Sequence, residues 1–132
     1  TRNCLLIDAP ELASNTIQTN DLVCLHSKTT FEWVGRYDAV INSGGIKISP
    51  EQLELQLEGL IQQRFFIASQ KETVLGAVVI LVIESLTPYE SLDFKAIEPL
   101  KRPKHIYYLD KFIETPSGKI KRQETLAQLK LV

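Results

Sequence analysis

At 132 residues, 44% of them hydrophobic and 23% charged, the chain has the size and composition of one ordinary globular domain, able to bury a core without a disulfide or metal staple. Its 15 basic and 16 acidic residues leave a formal net charge of −1, so the basic excess with which nucleic-acid binders neutralise phosphates is missing. Cys4 and Cys24 stand outside any CxxC spacing, with only His26 and His105 as further soft ligands, which argues against a metal site; the longest apolar run, Val74 to Ile83, falls short of the roughly 20 residues of a bilayer span.

No charged-then-apolar leader precedes that run, and the two cysteines are expected as reduced, half-buried thiols of a cytoplasmic protein. The chain begins at Thr1 and contains no methionine, which is expected of a piece of a longer polypeptide.

In chain order, Cys4 to Ile7 reads as a short strand. Leu22 to His26 and Phe31 to Val34 then flank the turn Ser27-Lys28-Thr29-Thr30 as a hairpin. These three pieces have no helix to cover them, so their packing partners are expected in a missing N-terminal region. From Gly35 onward the pattern becomes self-sufficient. Val40 to Asn42 and Ile46 to Ile48 suit two short strands joined through Ser43-Gly44-Gly45, where glycine supplies positive φ.

A helix follows, signalled by Ser49 as cap with Gln52 three residues on, and by Pro50 at the first helical position. Leu53, Leu57, Leu60 and Ile61 share one of its faces. Arg64 to Ser69 and Val74 to Ile83 read as strands, the second apolar on both faces and therefore central. A short helix near Leu92 to Glu98, a strand from His105 to Leu109 and a helix around Arg122 to Leu129 complete a βαββαβα order. The expected fold is α+β, a short hairpin followed by a three-stranded sheet packed with helices.

Two segments carry candidate chemistry: GRYDAVINSGGIKISPEQLE, residues 35 to 54, and PSGKIKR, residues 116 to 122. In the first, Arg36 can hold a phosphate or a ribose hydroxyl through paired donors, and Asp38 can exchange hydrogen-bond partners when a backbone joint turns. Taken alone, the two read more simply as a surface pair worth under about 1 kcal/mol. Gly44-Gly45 lets backbone approach a thin ligand with no side chain in the way, and equally makes a plain hairpin turn. Lys47 can meet an anionic cofactor or simply stay solvated. In the second segment, Pro116-Ser117-Gly118 presents Lys119 at a loop tip. Its compact charge could offset a carboxylate and a nucleotide α-phosphate as they are brought together; alone, it is an ordinary loop lysine.

Jointly, G-R-x-D-x-x-I-x-x-G-G-x-K-I-x-P-x-x-L-E followed by P-S-G-K-I-x-R resembles the adenylate-forming superfamily of acyl-CoA synthetases, nonribosomal adenylation domains and luciferases. The resemblance covers about residues 19 to 126. It implies that residues 1–35 are terminal strands of the N-terminal domain's β-subdomain and that residues 36–132 form the small C-terminal lid. By the same resemblance Lys119 is the catalytic lysine that meets the substrate carboxylate and the α-phosphate, and Asp38 is the hinge. Gly44 and Gly45 line the pantetheine tunnel, with Lys47 on the CoA side. Asp21 holds the ribose hydroxyls and Arg36 supports the same nucleotide.

The sequence departs from the pattern at Asn20, where glycine is usual, at Ile113, where proline is frequent, and at Gln123, where a second basic residue is usual. Asparagine tolerates a left-handed conformation, so a turn at Asn20 is expected to survive.

The implied activity is ATP-dependent carboxylate adenylation followed by thioester formation with CoA. ATP and Mg2+ would be held mainly by the N-terminal adenylation domain, which is the implied partner; this chain alone is expected to be inactive. The run TNDLVCLHSKTTFEWVGRYDAVINSGGIKI looks most like the o-succinylbenzoate-CoA ligases of menaquinone biosynthesis. Another aryl- or fatty-acyl-CoA ligase, a domain that loads a carrier protein, and a non-catalytic binding module that kept the fold stay open.

Overall fold

The computed structural model describes residues 3–130. It begins with an antiparallel sheet, β1 (Cys4–Ile7), β2 (Ile17–Leu25) and β3 (Phe31–Arg36), in that spatial order. The turn between β2 and β3 forms because Ser27 Oγ accepts the backbone N–H groups of Thr29 and Thr30, each at 3.1 Å. β2 starts at Ile17 instead of Leu22, and Asn20 lies within it without positive φ, so the turn expected there does not form. Thr19 explains the difference: its hydroxyl donates to the Leu5 carbonyl at 3.0 Å and accepts the Asp21 amide at 3.1 Å, holding these polar residues against β1. Cys4 is half-buried as expected, whereas Cys24 is exposed.

A 3-10 turn, Tyr37–Ala39, leads into the hairpin of β4 (Ile41–Ser43) and β5 (Ile46–Ile48). Gly44 and Gly45, at φ 57° and 82°, are its two turn residues, the backbone that a tight hairpin of this twist demands. α1 (Pro50–Leu57) starts where expected, with Ser49 Oγ accepting the Gln52 amide at 3.4 Å. The Gln52 side chain does not return to Ser49. It donates to the Val34 carbonyl at 3.1 Å, beside Ser49 Oγ, which donates to the same oxygen at 3.2 Å. These bonds tie the start of α1 to β3, at Gly35, where an added Cβ would sit 2.7 Å from Ser49 Oγ.

The second sheet has the order β6 (Phe65–Glu72), β7 (Gly76–Glu84), β8 (His105–Leu109), antiparallel then parallel. β7 is central as its apolar run required, and both of its faces are covered. Val79, Leu81 and Ile83 pack with Ile48, Leu53, Leu57 and Ile61, while Ile80 and Val82 pack with Phe66 and Phe112. α2 (Arg122–Ala127) closes the second face, shorter than expected by the turn that carries Leu129.

The helix expected near Leu92 to Glu98 is absent. Asp93 Oδ1 instead takes the Lys95 amide at 2.9 Å, and Arg102 Nε donates to the Ile97 carbonyl at 2.8 Å, so nearby side chains bond the backbone along a non-helical course. Leu92, Phe94 and Ile97 still reach the core, from an irregular strap that ends in a 3-10 turn at Pro99–Lys101.

Candidate functional site

Three of the expected site residues meet where β3 leaves the first sheet. Asp21 and Arg36 are register partners on β2 and β3, and Arg36 Nη1 lies 3.7 Å from Asp21 Oδ1. The same guanidinium forks Asp38, Nε to Oδ1 at 3.1 Å and Nη2 to Oδ2 at 3.0 Å. Trp33 Nε1 donates to Asp21 Oδ1 at 3.2 Å and orients that carboxylate. Hydrogen bonding to Arg36 holds the Asp38 carboxyl below its ordinary value, and Asp38 raises Arg36 in return. Arg36 and Asp38 are exposed and Asp21 is half-buried, with Asp38 in the middle of the Tyr37–Ala39 turn that follows the first sheet.

Gly44, Gly45 and Lys47 form a second group on the β4–β5 hairpin. The Gly44 amide donates to the Leu75 carbonyl at 3.0 Å, docking the turn on the β6–β7 connection at the start of β7. Nothing lies within 4 Å of a Cβ built on Gly45, so that side of the turn is open. Lys47 is exposed and borders two clefts. One, of about 600 Å³, opens between Leu22 and the segment of Tyr37, Val40, Asn42 and Ser49. The other, of about 290 Å³, is flanked by Gln52, Gln56 and Lys101.

Lys119 stands apart from both groups. Glu114 and Ile120 form an isolated antiparallel bridge, and within it Thr115 N donates to Lys119 O at 2.8 Å and Gly118 N to Thr115 O at 2.9 Å. Thr115 Oγ1 also accepts the Lys119 amide at 3.1 Å and contacts Ser117 Oγ at 2.9 Å. Gly118, at φ 85°, allows the reversal. Lys119 is therefore held by its backbone while its side chain is exposed, and its ammonium makes no ion pair among the described residues. The root of this small hairpin lies by Glu84, the last residue of β7, whereas Gly44 docks beside its first residue. A nine-residue strand separates the two by roughly 26 Å at about 3.3 Å per residue.

Two ion-pair networks around that hairpin went unread in the sequence. Arg122 forks Glu54 at 2.7 and 3.0 Å and lies 5.5 Å over the Phe66 ring, and Glu54 Oε1 also takes the Ile67 amide at 2.9 Å. Glu54 and Arg122 close the two quoted motifs, a signal that could have suggested their pairing. Arg64 joins Glu84 and Glu114 on the other side, without any such signal. No group of three or more His, Cys, Asp or Glu side chains converges to hold a metal ion among the described residues. No helix among them is long and apolar enough to cross a membrane.

No family model matches the chain. Among curated proteins it is similar to the human mitochondrial acyl-coenzyme A synthetases ACSM5 and ACSM4, at 28% identity over 96% and 88% of this chain. It spans about a quarter of their length, 25% and 23%. Among solved structures, an acyl-CoA synthetase (AMP-forming)/AMP-acid ligase II-like protein from Dyadobacter fermentans superposes with a TM-score of 0.65 at 33% identity, over 98% of this chain and 40% of that one. ATP-bound MatB from Rhodopseudomonas palustris gives 0.71 at 15% identity, over 89% and 25%. The o-succinylbenzoate CoA synthetase MenE from Bacillus subtilis, in complex with its acyl-adenylate intermediate, gives 0.67 at 21%, over 89% and 25%. The structure matches the fold of the acyl-CoA synthetase and MenE-like adenylate-forming superfamily.

Proposed function

We propose that the chain is the C-terminal part of an ATP-dependent acyl-CoA ligase, with residues 1–35 belonging to the N-terminal domain's β-subdomain and residues 36–132 forming a lid that serves two half-reactions. The observation that carries this reading is the separation of two chemically different tips on one small sheet. An unpaired lysine stands at one end of β7 and an open diglycine turn at the other. A rigid body with such tips presents one at a time to a single pocket, and a rotation exchanges them.

In the first half-reaction Lys119 lies between the acid's carboxylate and the α-phosphate of ATP. Its charge offsets the repulsion between these anions as the acyl–phosphate bond forms and pyrophosphate leaves. Asp21 accepts the ribose hydroxyls, and Arg36, swung from its fork on Asp38, supports the same nucleotide. In the second, backbone rotation about Asp38 brings Gly44 and Gly45 beside the pantetheine arm, whose thiol displaces AMP, while Lys47 faces the anionic end of CoA. Mg2+ bound with ATP would supply further neutralisation of the phosphates; among the described residues no group of three or more His, Cys, Asp or Glu side chains converges to hold it, and we assign it to the N-terminal domain. The cytoplasmic location expected from the sequence belongs to the same reading.

As the acid we favour o-succinylbenzoate, on the run from Thr19 to Ile48. A second choice, another aryl or fatty acid, is favoured by the higher identity to the acyl-CoA synthetases, 28% and 33%, than to MenE from Bacillus subtilis, at 21%. The test is pyrophosphate exchange with a panel of acids, o-succinylbenzoate among them, run on the full-length protein and on this chain alone. Exchange by the full-length protein with one acid, and none by the chain, is expected. A full-length protein inert toward every acid would overturn the ligase in favour of a binding module, and acyl transfer to a carrier protein but not to free CoA would replace the acceptor.

A further inference from the structure

The hairpin that carries Lys119 packs Ile120 against the core beside β6 and β7, and its one ion pair to the sheet among the described residues comes from a distant part of the sequence. Arg64, just before β6, donates from Nη1 to Glu114 Oε2 at 2.6 Å. Its other edge forks Glu84 at the end of β7, Nε to Oε1 at 2.9 Å and Nη2 to Oε2 at 2.6 Å. Glu84 Oε2 also accepts the Phe112 amide at 2.7 Å, and the guanidinium lies 5.8 Å from the centre of the Phe112 ring. One planar cation thus joins the start of β6, the end of β7 and the first residue of the Glu114–Ile120 bridge.

The backbone alone does not define the angle at which this hairpin leaves the sheet. It contributes a single isolated bridge, with the Lys121 amide donating to Ile113 O at 2.8 Å below it. Thr125 Oγ1, which accepts the Ile113 amide at 3.2 Å, ties the base to α2 and not to β7. Beside the packing of Ile120 on the Phe66–Phe112 cluster, that angle is set by a fork that reaches two carboxylates at once, which a lysine ammonium cannot reproduce with the same directionality.

We infer that Arg64 is a positioning residue for Lys119, holding the hairpin at the pitch from which the ammonium reaches the reacting anions. The inference rests on the role proposed for Lys119. Arg64 and Glu114 are each 39% exposed in their side chains, so their pair adds little to folding and its removal acts mainly on geometry. A misplacement of about 1 Å in a reacting constellation can cost about 100-fold in rate.

The experiment uses the full-length protein with Arg64→Ala, Arg64→Lys, Glu114→Ala and Lys119→Ala, each assayed for acyl-AMP formation and for transfer from supplied acyl-AMP to CoA. Hydrogen exchange over residues 113–121 is measured alongside. Arg64→Ala is expected to lower kcat for adenylation by about 100-fold, with KM for ATP and acid and the transfer step unchanged, and to speed exchange in the hairpin. Arg64→Lys should restore part of the rate. Glu114→Ala, which leaves the Arg64–Glu84 fork in place and so guards against a folding defect, should act in the same direction but less strongly. Unchanged adenylation in Arg64→Ala, or equal loss in both half-reactions, overturns the inference while leaving the role of Lys119 intact if Lys119→Ala still abolishes adenylation. Adenylation retained in Lys119→Ala overturns that role and this inference together.

Discussion

The chain holds two three-stranded sheets that differ in what covers them. In β6–β8 the central strand is covered on both faces, with Ile80 to Ile83 fully buried. In β1–β3, Leu6, Ile17, Phe31 and Trp33 are about half exposed or more, and Leu25 is 74% exposed. The first is a finished core; the second presents the kind of apolar surface that the proposed N-terminal domain would cover. The difference is what the proposed lid would need to move as one body: the β6–β8 core is complete, and the links that join it to β1–β3 include a short turn at Tyr37–Ala39 and the bonds from Ser49 and Gln52 to Val34.

The largest effect that tests this contrast should come from Leu81→Ala, which empties the buried core of β7 and should cost about 2–5 kcal/mol in denaturant unfolding of this chain. Next, Gly44→Ala should cost about 1–2 kcal/mol for placing a side chain at positive φ. It should exceed Gly45→Ala, because a Cβ on Gly44 would sit 3.1 Å from Leu75 Cδ2 whereas Gly45 faces open space.

Acid should act more weakly, through the carboxyls that Arg64 and Arg36 hold below their ordinary values, Glu84 and Asp38. A carboxyl lowered in the folded state contributes stability that is complete above its unfolded value near 4 and is lost as pH falls through the lowered folded value. Melting temperature should therefore fall on acidification below about pH 4, and Glu84→Gln should flatten that fall more than Asp38→Asn, whose pair is exposed. The smallest effect is expected from Leu25→Ser, within about 0.5 kcal/mol in this chain. A loss there as large as that of Leu81→Ala would mean that the first sheet already has its cover.

What could be read from the sequence follows the same division. β7 was legible because an unbroken apolar run admits a strand buried on both faces, and α1 because Ser49 and Pro50 mark its start. The Leu92 to Glu98 segment misled because Leu92, Phe94 and Ile97 do reach the core, but from a strap whose backbone is satisfied by Asp93 and Arg102. These partners stand only two and five positions away, and such local side-chain bonds compete with a helix while leaving the apolar spacing unchanged. The start of β2 was missed since Thr19, Asn20 and Asp21 are turn-forming types that β1 holds extended.

At the candidate site, the Arg36–Asp38 pair was readable as a surface pair two positions apart, whereas the approach of Asp21 to Arg36 comes from the β2–β3 register. The Arg64 network joins residues 20 and 50 positions apart and has no motif of its own.

The central claim is that Lys119 serves only one of two reactions. Its most direct test is Lys119→Ala in the full-length protein, with acyl-AMP formation and acyl-AMP to CoA transfer measured separately. A fall of about 100- to 1,000-fold in the first with the second intact is expected from the loss of one charge-stabilising group. Equal loss in both, or loss in neither, would contradict the account.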